Sequence, residues 1–200
     1  MKRSFSVNWD YRCPFARNAH EHLLAGLQAG ADWDVRFLVF SLEQSHVEEG
    51  GTPVWEEPDH HPGLISNLAG VVVRDRHPEA FHAVHAALFS ARHDQALDLR
   101  DRALVAKVLD EAGVDSSAVL GEVDSGWPLE VLKTEHTDAV RRLKAFGVPT
   151  FMSDDDAVFV RLMNRPAGNG KLAISTIERV LDLMDGVPEL NEFKHTAVLR

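Results

Sequence analysis

Between Phe5 and Trp9 the chain alternates, with Phe5, Val7 and Trp9 on one side and Ser6 and Asn8 on the other, the pattern of a half-buried strand. After a short turn the period lengthens: Ala16, Ala19, Leu23, Leu24 and Leu27 recur at helical spacing until Gly30 stops them. Pro14 suits the first turn of that helix, where its missing N–H would have had no partner. Alternation returns at Trp33, Val35, Phe37 and Val39, with Asp34 and Arg36 between them, and ends near Leu42. Strand, helix, strand is a crossover unit and predicts parallel pairing.

Residues 43–62 break both periods. Glu48, Glu49, Gly50, Gly51, Pro53, Pro58, His60 and His61 crowd there, which reads as a long loop of the kind that is often functional or mobile. From 63 to 146 the period is helical. Pro62 and Pro78 fit the first turns of helices near 63–74 and 78–93, the second carrying Phe81, Val84, Leu88 and Ala91. A third helix takes Asp98 as N-cap, Leu104, Val105, Val108, Leu109 and Ala112 as its apolar stripe, and Gly113 as its stop. A short helix follows Asp115, and a long one opens at Pro128 and runs to Phe146. Strand pattern then resumes over 147–152 and from Ala157 to Met163, joined as a hairpin by the acidic turn 154–156. Ser175-Thr176-Ile177-Glu178 has the form of a capping box, and Ile174, Ile177, Leu181 and Met184 give a closing helix its buried face. Gly186 and Pro188 end it. The segment 187–200 has weak periodicity and reads as a tail or an arm that docks on a partner, which leaves a homodimer open.

Composition adds exclusions. The chain has 200 residues, a net charge of -10 and 44% hydrophobic residues, an ordinary balance for a globular domain with a real core. An acidic surface without a basic run speaks against nucleic acid or an anionic membrane as partner. No apolar run reaches membrane-spanning length, and the first ten residues lack an apolar signal core, so a cytoplasmic protein is expected. A single cysteine, Cys13, leaves no disulfide within the chain, no thiolate zinc site and no two-cysteine redox cycle.

Taken in order, Asp10-Tyr11-Arg12-Cys13-Pro14-Phe15-Ala16, the helical block and Gly147-Val148-Pro149-Thr150-Phe151 resemble the DsbA-like family of thioredoxin-fold proteins. Within it the sequence is most similar to the cytoplasmic branch that holds FrnE-type oxidoreductases, actinobacterial thiol-dependent reductases and 2-hydroxychromene-2-carboxylate isomerases. The segment from His93 to Asp115 resembles that branch's insertion helices. The resemblance implies an α/β, thioredoxin-like fold with an inserted all-helical subdomain. Residues 1–42 and 147–186 then form the thioredoxin-like domain, 43–62 a loop, 63–146 the helical insertion and 187–200 the tail.

Cys13 stands between a strand and a proline-started helix, where unpaired N–H groups of the first turn face its sulfur. Such a site can lower a thiol pKa to roughly 3.5–7.5, and Arg12 and Arg17 are placed to add positive charge. The competing reading is a small buried apolar residue. Dithiol members of the family carry a second cysteine where this chain has Ala16, so the sulfur that resolves a mixed disulfide must come from outside. A low-molecular-weight thiol, mycothiol or glutathione, is the expected cofactor, and a small-molecule thiol or thiol-reactive compound the expected partner. The resemblance also implies a cis bond before Pro149, with the backbone of Val148 pairing with substrate beside Thr150, and places Pro14 and Phe15 in the binding groove. His136 interrupts the stripe Leu129, Leu132, Val140 and Leu143, and reads equally as a satisfied core histidine or as a catalytic group facing the cysteine. His82 and His85 share a helix face without an evident third ligand, and no metal is expected. Two further readings stay open: an isomerase or transferase in which position 13 only positions a cofactor sulfur, and a degenerate binding module.

Overall fold

The computed structural model describes residues 2–195 and 197. Strand β1 (Arg3–Trp9) leads through the turn at residues 10–13 into α1 (Pro14–Gln28) and on to β2 (Trp33–Val39), which pairs with β1 in parallel from Arg3↔Trp33 to Trp9↔Val39. The chain then leaves the sheet for α2 (His61–Arg76), α3 (Pro78–His93), α4 (Arg102–Glu111), α5 (Ser116–Asp124) and α6 (Trp127–Leu143). It returns as β3 (Thr150–Met152), antiparallel to β1, and β4 (Ala157–Phe159), antiparallel to β3, before α7 (Gly170–Gly186). The sheet order is β2-β1-β3-β4. This is the thioredoxin-like α/β fold with a helical block between β2 and β3.

Helix α2 is the hub of that block. Gly63 to Val73 are all buried, and α3, α4, α5 and α6 pack around it, so the helix lacks the polar face of a surface element. Helix α1 packs on α7 and against β1. Arg3 ties the last helix down by donating to Glu178, Asp182 and Asp185, and the Trp33 indole donates to Glu178 at 2.5 Å.

Several sequence expectations move. Residues 43–62 are not all loop: they carry 3-10 turns at Gln44–His46 and Pro58–His60, and α2 already starts at His61. Asp101, not Asp98, caps α4 by accepting from the Ala103 N–H, while Asp98 is held by Arg100. Ser175 does not cap the last helix. Asn169, six residues earlier, does, accepting from the Leu172 N–H, and Ser175 donates back to the Leu172 carbonyl inside the helix. Helix α6 ends at Leu143, because Lys144 takes a left-handed conformation (φ 55°), and β4 stops at Phe159 rather than Met163. Of the expected docking tail, residues 187–195 are exposed and form neither helix nor strand, while Thr196 and 198–200 lie outside the described residues.

Candidate active site

Cys13 is the N-cap of α1. Its extended backbone (φ -91°, ψ 119°) turns the side chain back over the helix start, where Sγ accepts from the Ala16 N–H at 3.4 Å. The thiol donates to the Val148 carbonyl at 3.3 Å, so the sulfur bridges the helix start and the loop before β3. The residue is 6% exposed. Burial pushes the thiol pKa up, the N–H groups of Ala16 and Phe15 pull it down, and the Asp10 carboxylate raises it further; the balance lies above the ordinary thiol value. The expected lowering does not occur in this state, for a structural reason. Arg12 is engaged by Asp10 and Glu43, and Arg17 by Glu21 and Asp94, so neither cation is directed at the sulfur.

The loop facing Cys13 is held by a residue that alternation placed on the polar side of its strand. Asn8 is fully buried: its amide donates to the Gly147 carbonyl at 3.1 Å, and its side-chain oxygen accepts from the Thr150 N–H at 2.6 Å. The Thr150 hydroxyl donates to the same Gly147 carbonyl at 2.8 Å. Val148 and Pro149 are thereby clamped on both sides, and the bond between them is cis. Nothing in the residue pattern distinguished Asn8 from an exposed strand position. Its burial follows from β3 pairing on the far side of β1.

Asp10 is likewise fully buried and sets the turn before the cysteine, accepting from the Arg12 and Leu42 N–H groups at 2.9 Å each. Behind the turn runs a chain of buried polar rings. The His20 Nε2 lies 3.0 Å from the Asn8 carbonyl, which can only accept, so that nitrogen carries the proton. The order of donors then follows: His85 Nε2–H donates to His20 Nδ1 at 2.9 Å, and the Tyr11 hydroxyl donates to His85 Nδ1 at 2.8 Å. All three rings are neutral in this arrangement. Burial drives the His20 pKa down to about 4 and that of His85 well below the ordinary value, and lifts that of Tyr11. Gly70 makes room for this chain, since a Cβ there would stand 2.6 Å from the Tyr11 hydroxyl.

The structure separates the other sequence candidates. Pro14 is exposed beside Cys13, and Phe15 is half-buried with Arg161 over its ring. Of Val148, Pro149 and Thr150, Val148 touches the sulfur through its carbonyl, while Thr150 bonds to Asn8 and Gly147 instead. His136 makes no hydrogen bond to Cys13. Its Nδ1 accepts from the Ser41 N–H at 3.3 Å, and its ring packs tilted against Phe40 with centroids 4.1 Å apart and meets the edge of Trp55. Burial lowers its pKa to about 4. It is thus a neutral core histidine here, bonded through Nδ1 to the Ser41 N–H and not to Cys13, and its Nε2–H has no hydrogen-bond partner among the described residues. Of the two roles it could play, the geometry gives the catalytic one no hydrogen bond to the sulfur. The loop at 43–60 is fastened next to the site by Arg12, which donates to Glu43 at 2.8 Å, and by the pairing of Glu43 with His60. A cleft of about 970 Å³ between α6 and the sheet, lined by Arg36, Arg74, Trp127 and Glu135, does not include Cys13. Among the described residues no cluster of three His, Cys, Asp or Glu side chains could hold a metal, and no helix is long and apolar enough to cross a membrane.

A strand-turn-helix carrying a capping cysteine opposite a Val-Pro loop is the arrangement of a thioredoxin-type site. Residues 6–167 match the model of the DSBA-like thioredoxin domain, and the chain belongs to that family. Solved structures agree on the fold. A 2-hydroxychromene-2-carboxylate isomerase superposes with a TM-score of 0.63 at 18% identity, over 90% of this chain and 96% of that one. The cytosolic disulfide reductase DsbM from Pseudomonas aeruginosa, solved with GSH, gives 0.59 at 17% identity over 90% and 100%. A probable DsbA oxidoreductase from Streptomyces coelicolor gives 0.58 at 12% identity over 98% and 93%. No curated protein matches the sequence.

Proposed function

We propose that this protein is a cytoplasmic thiol-dependent oxidoreductase in which Cys13 acts as the single nucleophile and a low-molecular-weight thiol, glutathione or mycothiol, supplies the second sulfur. The observation that carries the reading is the position of the sulfur, capped by the Ala16 N–H and facing the Val148 carbonyl, with alanine where a resolving cysteine would stand. Deprotonated Cys13 attacks one sulfur of a disulfide R–S–S–R′, forming Cys13–S–S–R and releasing R′–S⁻, while the cysteine proton passes to solvent. A second small thiolate then attacks the R sulfur, and Cys13 leaves as thiolate. Pro14, Phe15, Val148, Pro149 and Thr150 form the surface on which the incoming thiol lies. A substrate amide that takes the Val148 carbonyl would release the thiol from its resting hydrogen bond.

One observation favours a second reading. A thiol whose pKa is raised by burial serves well as a neutral hydrogen-bond donor, so Cys13 could instead orient the sulfur of a bound thiol cofactor in an isomerase or transferase. Intact-mass measurement after incubation with oxidised glutathione or oxidised mycothiol tests the first reading: an adduct on Cys13, absent from Cys13→Ser, supports it. No adduct together with turnover that survives Cys13→Ser supports the second. Failure of both, without binding of either thiol, leaves a binding module.

A further inference from the structure

Among the described residues, the arginines on the segments around the cysteine are held by carboxylates, except the exposed Arg161. Arg12 is held by Asp10 and Glu43, Arg17 by Glu21 and Asp94, and Arg165 by Glu21 and Asp94. Arg161 has no carboxylate of the described residues within ion-pair reach. Its guanidinium instead lies 5.6 Å from the Phe15 ring centroid and 5.9 Å from that of Phe159.

Those rings belong to opposite walls of the site. Phe15 is two residues past Cys13 in α1. Phe159 closes β4, paired to Thr150, and its neighbour Val160 donates to the Pro149 carbonyl at 3.1 Å. Arg161 therefore leaves the backbone beside the Val148–Pro149 loop and reaches across to the helix that carries the sulfur. Cation–π contact with two rings holds the guanidinium between the walls while none of its N–H groups is spent on a hydrogen bond among the described residues, which leaves them available to a carboxylate. Phe146, 70% exposed and 5.0 Å from Phe159 between ring centroids, extends the apolar floor next to this cation.

We propose that Arg161 is the anion anchor of the site, so that the ligand Cys13 prefers is a small thiol or disulfide carrying a carboxylate near its sulfur. The proposal rests on the thiol-exchange reading and adds a substrate class to it. The test uses the full chain and three small disulfides as probes: dithiodipropionate (anionic), hydroxyethyl disulfide (neutral) and cystamine (cationic), with adduct formation on Cys13 followed by intact mass. Wild type is expected to react about threefold to fivefold faster with the anionic probe than with the neutral one, the worth of one ion pair to an exposed arginine. Arg161→Gln should bring that ratio close to one, and Arg161→Lys, which keeps the charge but not the planar fork, should restore only part of it. A wild-type ratio near one, or a preference that survives Arg161→Gln, overturns the anchor. A second measurement does not depend on thiol chemistry: 3-(methylthio)propionate, which cannot exchange, should shift the Arg161 Nε–H NMR signal, and the shift should fade with salt. Absence of that shift overturns the anchor even where Cys13 reacts. Absence of any adduct with all three disulfides, alongside a clear shift, overturns the exchange reading and leaves the anion site standing.

Discussion

Acid should unfold this protein through its buried imidazoles, and the size of the effect can be worked out. His20 and His136 are held neutral, each with a folded pKa of about 4 against an ordinary 6.5. Between those values the unfolded chain binds a proton at each site that the folded chain refuses, so stability falls as pH drops through the window and the loss levels off below about pH 4. From pH 7.5 to pH 5 each histidine costs about 2 kcal/mol, and the pair about 4 kcal/mol, a large share of the roughly 5–15 kcal/mol by which domains are stable. His85, lowered by burial and by its neighbour His20, acts in the same direction. Urea titrations at pH 7.5, 6 and 5 measure the slope. The comparison variant is His136→Asn, whose side-chain oxygen can still accept from the Ser41 N–H but which does not titrate. It should lower the slope near pH 5 by about 1.2 kcal/mol per pH unit whatever its offset at neutral pH. Equal slopes in wild type and variant, or an NMR titration of His136 near 6.5, would refute the reasoning.

Three other outcomes are expected. Asn8→Ala removes both clamps on the Val148–Pro149 loop and strands the Thr150 N–H, costing about 2–3 kcal/mol in urea denaturation; a cost below about 0.5 kcal/mol would mean the loop holds itself. Gly70→Ala drives a methyl to 2.6 Å from the Tyr11 hydroxyl and should destabilise by about 1–3 kcal/mol, read as a lower urea midpoint at unchanged m-value. Alkylation of Cys13 by iodoacetamide in the ligand-free protein should be slower at pH 7 than that of a free thiol and keep rising past the free-thiol range; a plateau reached below pH 7 would contradict the balance of burial over helix N–H groups.

The amino-acid pattern by itself determined the order of elements, because period and punctuation are local: Phe5–Trp9 and Trp33–Val39 alternate, Pro14 and Pro78 open helices, and Gly113 closes one. It also placed a lone cysteine at a helix start, which follows from chain order alone. Caps were less legible: the pattern points to Asp98 as the cap of α4, whereas the helix starts after Asp101, which carries the same side chain. What the tertiary structure decided is everything that depends on who lies across. Asn8 became a clamp because β3 arrived at its side, and Arg161 became a bridge because β4 brought it opposite Phe15. His136, on an apolar stripe that fits either role, was turned to Phe40 and Ser41 rather than to the sulfur. The charge state of Cys13 belongs to the same category. A helix start predicts a lowered pKa, but desolvation and the Asp10 carboxylate reverse it, while Glu43 and Asp94 hold Arg12 and Arg17. The burial and the partners of the two arginines arise from long-range contacts that no local pattern encodes.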